Sequence, residues 1–267
     1  MQILNKTQGG TVGRSWLGNE IVFFKTGTGI KKIMFIGGFS AADTVSGKEL
    51  SEWAKEAEEC LFSGENFGEF KAAVLFAKVT VYVVPNVNPD GAYFRQTSDI
   101  FNPFHDRAER IRKNNPNTEW TANARGTDLS KNFSGYWMKA KMFERERGIF
   151  TPAPSGYGGE YPESELETSS LCGFIRRISP DFICVFSDES RGIYTDKCLD
   201  IKDNIQQKAI LISKLKGFPL YERMLRDSAA TLPVWVKNEL GISAFSVGLG
   251  RDEGMKNKDV ITLCAAL

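Results

Sequence analysis

The side chains that most often carry enzyme chemistry are scarce in this sequence. His105 is its single histidine, and its five cysteines are spread along the 267 residues without a C-x-x-C pair. Catalytic zinc sites commonly use two or three histidines and a carboxylate, and structural zinc sites use clustered cysteines. The residue counts therefore argue against a histidine-rich zinc centre, a cysteine zinc site and a disulfide framework.

Acidic residues follow two apolar segments that have the length of buried strands. Asp43 comes after the segment 33–36, and Asp188 and Glu189 come after the segment 182–186. Ligands of open α/β sheets bind outside the carboxyl ends of the strands, and carboxylates there suit Ca²⁺ or Mg²⁺. The alternative is that Asp43 caps the helix that follows it while the other two are solvated, and this arrangement is the more common one.

A nucleophilic mechanism would have one available imidazole base. A serine or cysteine nucleophile needs a neighbouring general base, and His105 lies in the charged stretch FNPFHDRAER. In such a stretch a histidine is more often a surface residue or an anchor for a loop. A surface or loop-anchoring role is therefore the more common one for His105, and a role as general base stays open.

The composition limits the kind of protein and its partners. With 42% hydrophobic and 25% charged residues the chain has the make-up of a globular protein, and its formal charge of +1 predicts neither a nucleic-acid nor a membrane partner. No apolar run is long enough to cross a bilayer, and the stretch MQILNKTQGG does not have the form of a signal peptide. These features predict a cytoplasmic location.

The order of apolar patterns is that of an α/β domain. The runs VTVYVV at 79–84 and FICVF at 182–186 predict strands buried on both faces, with helices above and below them. The segments 20–26 and 32–36, joined by a glycine-rich turn, predict a hairpin. Helices are predicted at 44–62, 164–178, 202–215 and 228–240 and in the C-terminal stretch DVITLCAAL, and a last strand at 244–247.

The segment 93–155 is the one long stretch without a clear pattern. It is rich in Asn, Pro, Gly and charge, and loops of that length are usually functional or disordered. No repeat or linker-like break divides the chain, so a single domain over residues 1–267 is predicted.

Four blocks of the sequence, in order, resemble the zinc carboxypeptidases of the carboxypeptidase A type. They are VGRSWLGNEIVFFKTG (12–27), VYVVPNVNPDGA (81–92), WTANARGTDLSKNF (120–133) and YPESELETSSLCGFIRRISPDFICVFS (161–187). Within that family the sequence is most similar to bacterial peptidases that cleave γ-D-glutamyl-diaminopimelate bonds in cell-wall stem peptides. The resemblance implies a mixed, twisted sheet of about eight strands with helices on both faces.

The resemblance also locates the family's metal and base positions, and this sequence departs from the family at each of them. The metal-binding histidine and glutamate fall on Ser40 and Asp43, and the later metal-binding histidine falls on Phe186. The general-base glutamate falls on Gly248. Glycine cannot accept a proton and phenylalanine offers no lone pair, so bound zinc and the family's hydrolytic mechanism are both predicted to be absent.

Positions for substrate binding are partly retained. The Asn-Arg pair that grips a substrate's terminal carboxylate in the family is replaced by Ser130 and Lys131, and Arg125 matches the arginine of the family's N-x-R-G stretch. Lysine keeps the positive charge but lacks the planar fork that binds a carboxylate at two points. We therefore expect weaker and less selective anion binding at this place.

Two functions are consistent with these substitutions. The first is a catalytically inactive homologue that binds a peptide, a peptidoglycan stem peptide or a protein partner in the former active-site cleft. The second is a hydrolase of peptide or stem-peptide bonds that uses an atypical metal or mechanism. The first is favoured because chemistry is lost at every matched metal and base position.

Overall fold

A computed structural model describes residues 8–96, 102–198, 204–251 and 255–266. Its strands are β1 (Gly9–Arg14), β2 (Glu20–Thr26), β3 (Lys31–Ile36), β4 (Asn66–Phe67), β5 (Phe70–Lys71), β6 (Val79–Val84), β7 (Phe182–Ser187), β8 (Gly192–Asp196), β9 (Leu220–Arg223) and β10 (Ser243–Gly248). Within these ranges eight strands form one sheet in the order β1-β2-β6-β3-β7-β10-β8-β9, and β4 pairs with β5. The predicted mixed sheet of about eight strands is confirmed.

Helices cover both faces of this sheet. They are α1 (Ser46–Ser63), α2 (Ala72–Lys78), α3 (Pro89–Gln96), α4 (His105–Asn114), α5 (Trp137–Glu146), α6 (Leu166–Ile178), α7 (Asn204–Lys216), α8 (Leu225–Ser228), α9 (Leu232–Leu240) and α10 (Met255–Ala266), with a 3₁₀ turn at Leu129–Lys131. One core cluster joins the sheet to α1, α2, α7 and α10, and a second joins the opposite face to α6 and α9.

The central strands explain the near-continuous apolar runs. β6, β3, β7 and β10 are parallel neighbours, so their side chains alternate between two buried faces. Phe35 and Cys184 belong to the first cluster, whereas Met34 and Ile183 belong to the second. Parallel strands that share an orientation also bring their carboxyl ends to one edge of the sheet.

The predicted hairpin between β2 and β3 is wrong. β6 lies between the two strands, antiparallel to β2 and parallel to β3. The glycine-rich turn instead carries the chain past the end of α2, where a Cβ on Gly29 would collide with the backbone of Lys78. The glycines therefore permit a close crossing and do not close a tight turn.

The segment 93–155 is more regular than predicted. It contains α4, the 3₁₀ turn and α5, and α4 is a short, strongly charged helix whose buried residues are Ala108 and Ile111. Two apolar contacts in ten residues are too few to give a clear amphipathic pattern. The strands β8 and β9 were not predicted either, and the exposed β9 sequence LYER has no alternation to reveal it.

The helices of the described ranges are all too short or too polar to cross a bilayer.

Candidate functional site

A cavity of about 440 Å³ lies beyond the carboxyl ends of β3 and β7. Its walls combine the segment after β3, the 3₁₀ turn, the end of α5 and the strands β7, β9 and β10. The volume is in the range of small-ligand sites. The predicted residues that line it are Ser40, Asp43, Ser130, Lys131, Phe186, Asp188 and Glu189.

Asp43 is committed to the start of α1. Its Oδ1 accepts hydrogen bonds from the backbone N–H groups of Val45 (3.1 Å) and Ser46 (2.9 Å), and its Oδ2 accepts one from the Ser46 hydroxyl (2.5 Å). Burial raises the pKa of Asp43, and these hydrogen bonds act in the opposite direction. The helix-capping interpretation of this carboxylate therefore agrees with the structure.

Phe186 lies between the cavity and the core. Its side chain is 1% exposed, and its ring packs edge-on against Phe35 with 5.3 Å between the ring centroids. Phe35 in turn packs against Trp53 of α1. The aromatic ring therefore belongs to the packing between sheet and helix.

Gly248 is not among the described residues that line the cavity. A Cβ at this position would lie 2.9 Å from Cε2 of Tyr194 and closer still to the carbonyl oxygen of Ser190. The turn between β7 and β8 thus occupies the space that a side chain here would need. A carboxylate side chain at the predicted base position would therefore have no room in this structure.

The 3₁₀ turn places Ser130 and Lys131 on the cavity wall. Asp128 caps this turn, accepting from the Ser130 backbone N–H (3.1 Å) and hydroxyl (2.6 Å) and from the Gly156 N–H (3.1 Å). The Lys131 ammonium donates to the backbone carbonyl of Asp227. Burial lowers the pKa of Lys131, and no carboxylate in the described ranges forms an ion pair with it.

Arg125 and His105 lie away from the cavity wall as far as the structure describes it. The Arg125 guanidinium stacks on Trp16 at 4.3 Å and faces the buried carboxylate of Glu165 at 3.6 Å. The expectation that Arg125 faces the cleft is therefore corrected. His105 begins α4, where its backbone N–H donates to the carbonyl of Asn102 (2.9 Å).

The carboxylates of Asp188 and Glu189 have separate partners. Asp188 faces Arg251 at 3.3 Å, outside hydrogen-bond geometry, and its pKa is raised by burial and by the nearby charge of Asp43. Glu189 accepts a 2.5 Å hydrogen bond from Arg223. Across the described part of the chain no group of three His, Cys, Asp or Glu side chains is arranged to hold a metal ion. The proposed Asp43, Asp188 and Glu189 cation site is not assembled there.

The three positions that the resemblance assigns to zinc ligands do not fit zinc. The hydroxyl of Ser40 accepts the backbone N–H of Ala42 (3.1 Å), Asp43 uses both oxygens on α1, and Phe186 has no donor atom. Zinc prefers imidazole, thiolate and free carboxylate ligands. This donor set offers none of the three in an available form.

Three described basic residues of the cavity were missed by the sequence analysis, and one of them is Arg251, which follows β10 and faces Asp188. Arg147 follows the last residue of α5, and Arg223 ends β9. Neither β9 nor α5 was predicted, and single arginines in a charged segment give no signal of a shared wall. The tertiary structure alone brings Arg147 and Arg223 to Lys131.

The motif residues of the long segment form a buried polar network next to the cavity. Glu165 accepts hydrogen bonds from Trp16 Nε1 (3.0 Å), Asn123 Nδ2 (2.9 Å) and the Thr127 hydroxyl (3.1 Å). The network ties the strand β1 end, the 120–133 block and the start of α6 together. The network therefore anchors the segment that leads into the 3₁₀ turn of Ser130 and Lys131.

Comparison with known proteins agrees with this architecture. Residues 5–193 match the zinc carboxypeptidase family. The chain is 30% identical over 187 residues to the uncharacterized protein YqgT of Bacillus subtilis, covering 68% of this chain and 49% of that protein. It is 26% identical over 189 residues to gamma-D-glutamyl-L-diamino acid endopeptidase 1 of Lysinibacillus sphaericus, covering 70% and 47%.

Solved structures with a similar fold include a carboxypeptidase-like protein. Bovine thrombin-activatable fibrinolysis inhibitor, solved in complex with tick carboxypeptidase inhibitor, superposes with a TM-score of 0.66 at 15% identity, covering 98% of this chain and 88% of that one. The chain spans about half the length of these two curated relatives, and the family match ends before β9 and β10. On the family match and its zinc carboxypeptidase-like fold, the chain belongs to the zinc carboxypeptidase family.

Proposed function

We propose that this protein is a catalytically inactive member of the family that binds short peptides through their terminal carboxylate. The observation that carries the proposal is the contrast within one cavity. Lys131 lies on the cavity wall at the position that the resemblance assigns to carboxylate binding. The positions that it assigns to zinc ligands include Asp43, which is bonded to the start of α1, and Phe186, which packs in the core.

The relative that acts on γ-D-glutamyl bonds suggests a ligand. We propose a peptidoglycan stem peptide, such as L-Ala-γ-D-Glu-diaminopimelate, as one peptide that the cavity accepts. Nucleic acid and membrane surfaces are not proposed as partners, because the formal charge of +1 provides no general attraction to them. A cytoplasmic site of action remains part of the proposal.

Calorimetric titration of peptides tests this function. A tripeptide with a free C-terminal carboxylate is expected to bind, and its C-terminal amide to bind more weakly. Lys131→Met should weaken binding of the free acid by about 1 kcal/mol, or roughly fivefold in Kd, which is typical of one partly exposed charge-assisted contact. Lys139→Met is the matched control, because Lys139 is exposed on α5 and is not among the described lining residues.

The same samples test catalysis. We expect no stoichiometric zinc by elemental analysis and no new amine on incubation with the stem peptide. About one equivalent of zinc together with peptide cleavage would overturn the inactive assignment and support the atypical hydrolase. Equal affinity for the acid and the amide, with no effect of Lys131→Met, would overturn the role of the lysine.

A further inference from the structure

Four cations of the described residues line the cavity. Arg251 faces two lining carboxylates, Asp188 (3.3 Å) and Glu119 (3.6 Å), and the other three come from three different elements. Lys131 comes from the 3₁₀ turn, Arg147 from the end of α5 and Arg223 from β9. The charges of Arg147 and Arg223 act on the Lys131 ammonium, so the three groups are within electrostatic range of one another. A single peptide carboxylate would require only one or two of them.

The orientation of Arg223 is fixed by its surroundings. Its guanidinium stacks on Tyr194 at 4.6 Å, donates to the Ser246 hydroxyl (3.1 Å) and donates to Glu189 (2.5 Å). The side chain is only 19% exposed. A guanidinium has five N–H donors, so an oriented Arg223 retains donors for a further acceptor in the cavity.

The present partners of Arg147 and Arg223 lie at the rim. Glu189 and Asp227 are 52% and 58% exposed, and Arg147 faces Asp227 at 3.5 Å. The Arg147–Asp227 pair is exposed on both sides and contributes little stability, so a ligand carboxylate can replace Asp227 at small cost. Arg223 is largely buried, but its partner Glu189 is half exposed and stays hydrated when a ligand carboxylate replaces it. The charge of Asp128 also acts on Lys131, but three hydrogen bonds within and beside the 3₁₀ turn hold this carboxylate in place.

From this geometry we infer that the cavity selects peptides that end in an acidic residue. One carboxylate of the terminal Glu or Asp contacts Lys131, and the second is held by Arg147 and Arg223. The inference rests on the proposed peptide-binding function and adds the class of ligand. It assigns Arg147 and Arg223 as the residues that determine specificity.

A pair of peptides that differ in one charge tests the inference. Ala-Ala-Glu is expected to bind about tenfold more tightly than Ala-Ala-Gln, because the two are equal in size and differ in the second carboxylate. Arg223→Gln should reduce this preference to about twofold or less while changing the affinity for Ala-Ala-Gln little. Arg223→Lys should give an intermediate preference, because it keeps the charge without the fork.

Arg226→Gln is the matched control. Arg226 also stacks on an aromatic ring (Phe143, 5.1 Å) and pairs with a carboxylate (Glu146, 2.5 Å), but it is not among the described lining residues. The control should retain the full preference for Ala-Ala-Glu. If Arg223→Gln melts at a much lower temperature, Arg147→Gln carries the test, because Arg147 is exposed and its loss should not affect folding.

The two peptides and two small carboxylates, glutarate and butyrate, distinguish failure of the peptide-binding proposal from failure of the acidic specificity. Equal affinity for the two peptides overturns the acidic specificity and leaves peptide binding intact. If no peptide binds, but glutarate binds more tightly than butyrate and only with Arg223 present, the dicarboxylate wall is supported and peptide binding is refuted. Absence of both effects overturns the inference.

Discussion

Replacing Glu167 with glutamine is expected to stabilise the protein progressively as the pH rises above about 4.5. Glu167 is completely buried, and within the described structure its Oε2 has no hydrogen-bond partner, while Oε1 receives one long hydrogen bond from Asn123 (3.4 Å). Burial raises its pKa from about 4.5 to about 8, and the neighbouring Asp90 and Glu165 add to the increase.

The sign follows from proton binding in the two states. Between pH 4.5 and pH 8 the unfolded chain has lost the Glu167 proton and the folded chain still holds it. Folding then requires proton uptake, so the free energy of unfolding falls as the pH rises. The ionisation of Glu167 lowers the free energy of unfolding by about 1.36 kcal/mol per pH unit in this range. The loss relative to pH 4.5 is about 3 kcal/mol at pH 7 and about 5 kcal/mol above pH 8.

Urea denaturation of wild type and Glu167→Gln from pH 4 to pH 9 measures the effect. Other titrating groups are common to both proteins and cancel in the difference, which should be near zero at pH 4 and grow to about 3 kcal/mol at pH 7. Glu165→Gln is a control with the opposite expected sign. It should destabilise the protein, because the Glu165 carboxylate accepts hydrogen bonds from several donor groups. Parallel pH curves for wild type and Glu167→Gln would refute the reasoning.

Three further changes test the site. Gly248→Ala should destabilise by about 1–3 kcal/mol in urea denaturation, because its Cβ would overlap the Ser190 carbonyl; an unchanged midpoint would contradict the described turn. Phe186→Ala should cost about 3–5 kcal/mol, and a loss below 1 kcal/mol would mean that the ring is not packed on Phe35. Ser46→Ala should lower the thermal midpoint, because the hydroxyl donates to Asp43 and accepts from the Gly38 N–H (3.0 Å); a neutral result would contradict these two contacts.

Sequence patterns predicted the strands that are buried on both faces and the helices that have one clear apolar face. The strands β6 and β7 are buried on both faces, so their apolar runs are unambiguous, and α1 and α6 carry clear amphipathic stripes. The strands β2 and β3 are consecutive in the sequence but are not neighbours in the sheet. β6 lies between them, because it pairs in parallel with β3 and antiparallel with β2. That pairing is a long-range property with no local signature.

Several of the site residues that lie on or after predicted strands were predictable, and the two arginines on unpredicted elements were not. Ser40 and Asp43 follow the predicted strand 33–36, Phe186 ends the predicted strand 182–186, and the common orientation of the two strands brings the three residues to one cavity. Arg223 and Arg147 come from elements without a pattern, so their meeting with Lys131 is visible only in three dimensions. The roles of all these residues in binding remain predictions.

Several residues of the matched motifs hold the scaffold together. Asp90 accepts hydrogen bonds from the Ser15 hydroxyl (2.5 Å) and the Leu17 N–H (2.9 Å), and Asn132 donates to the carbonyl of Gly158 (2.6 Å). Such buried groups cannot be replaced without leaving partners unsatisfied, at about 1–3 kcal/mol each. Two of the cavity positions now have structural roles of their own: Asp43 accepts hydrogen bonds at the start of α1, and Phe186 fills the core. The resemblance is therefore carried by residues that hold the scaffold together, and it survives changes at the positions where zinc and the base would act.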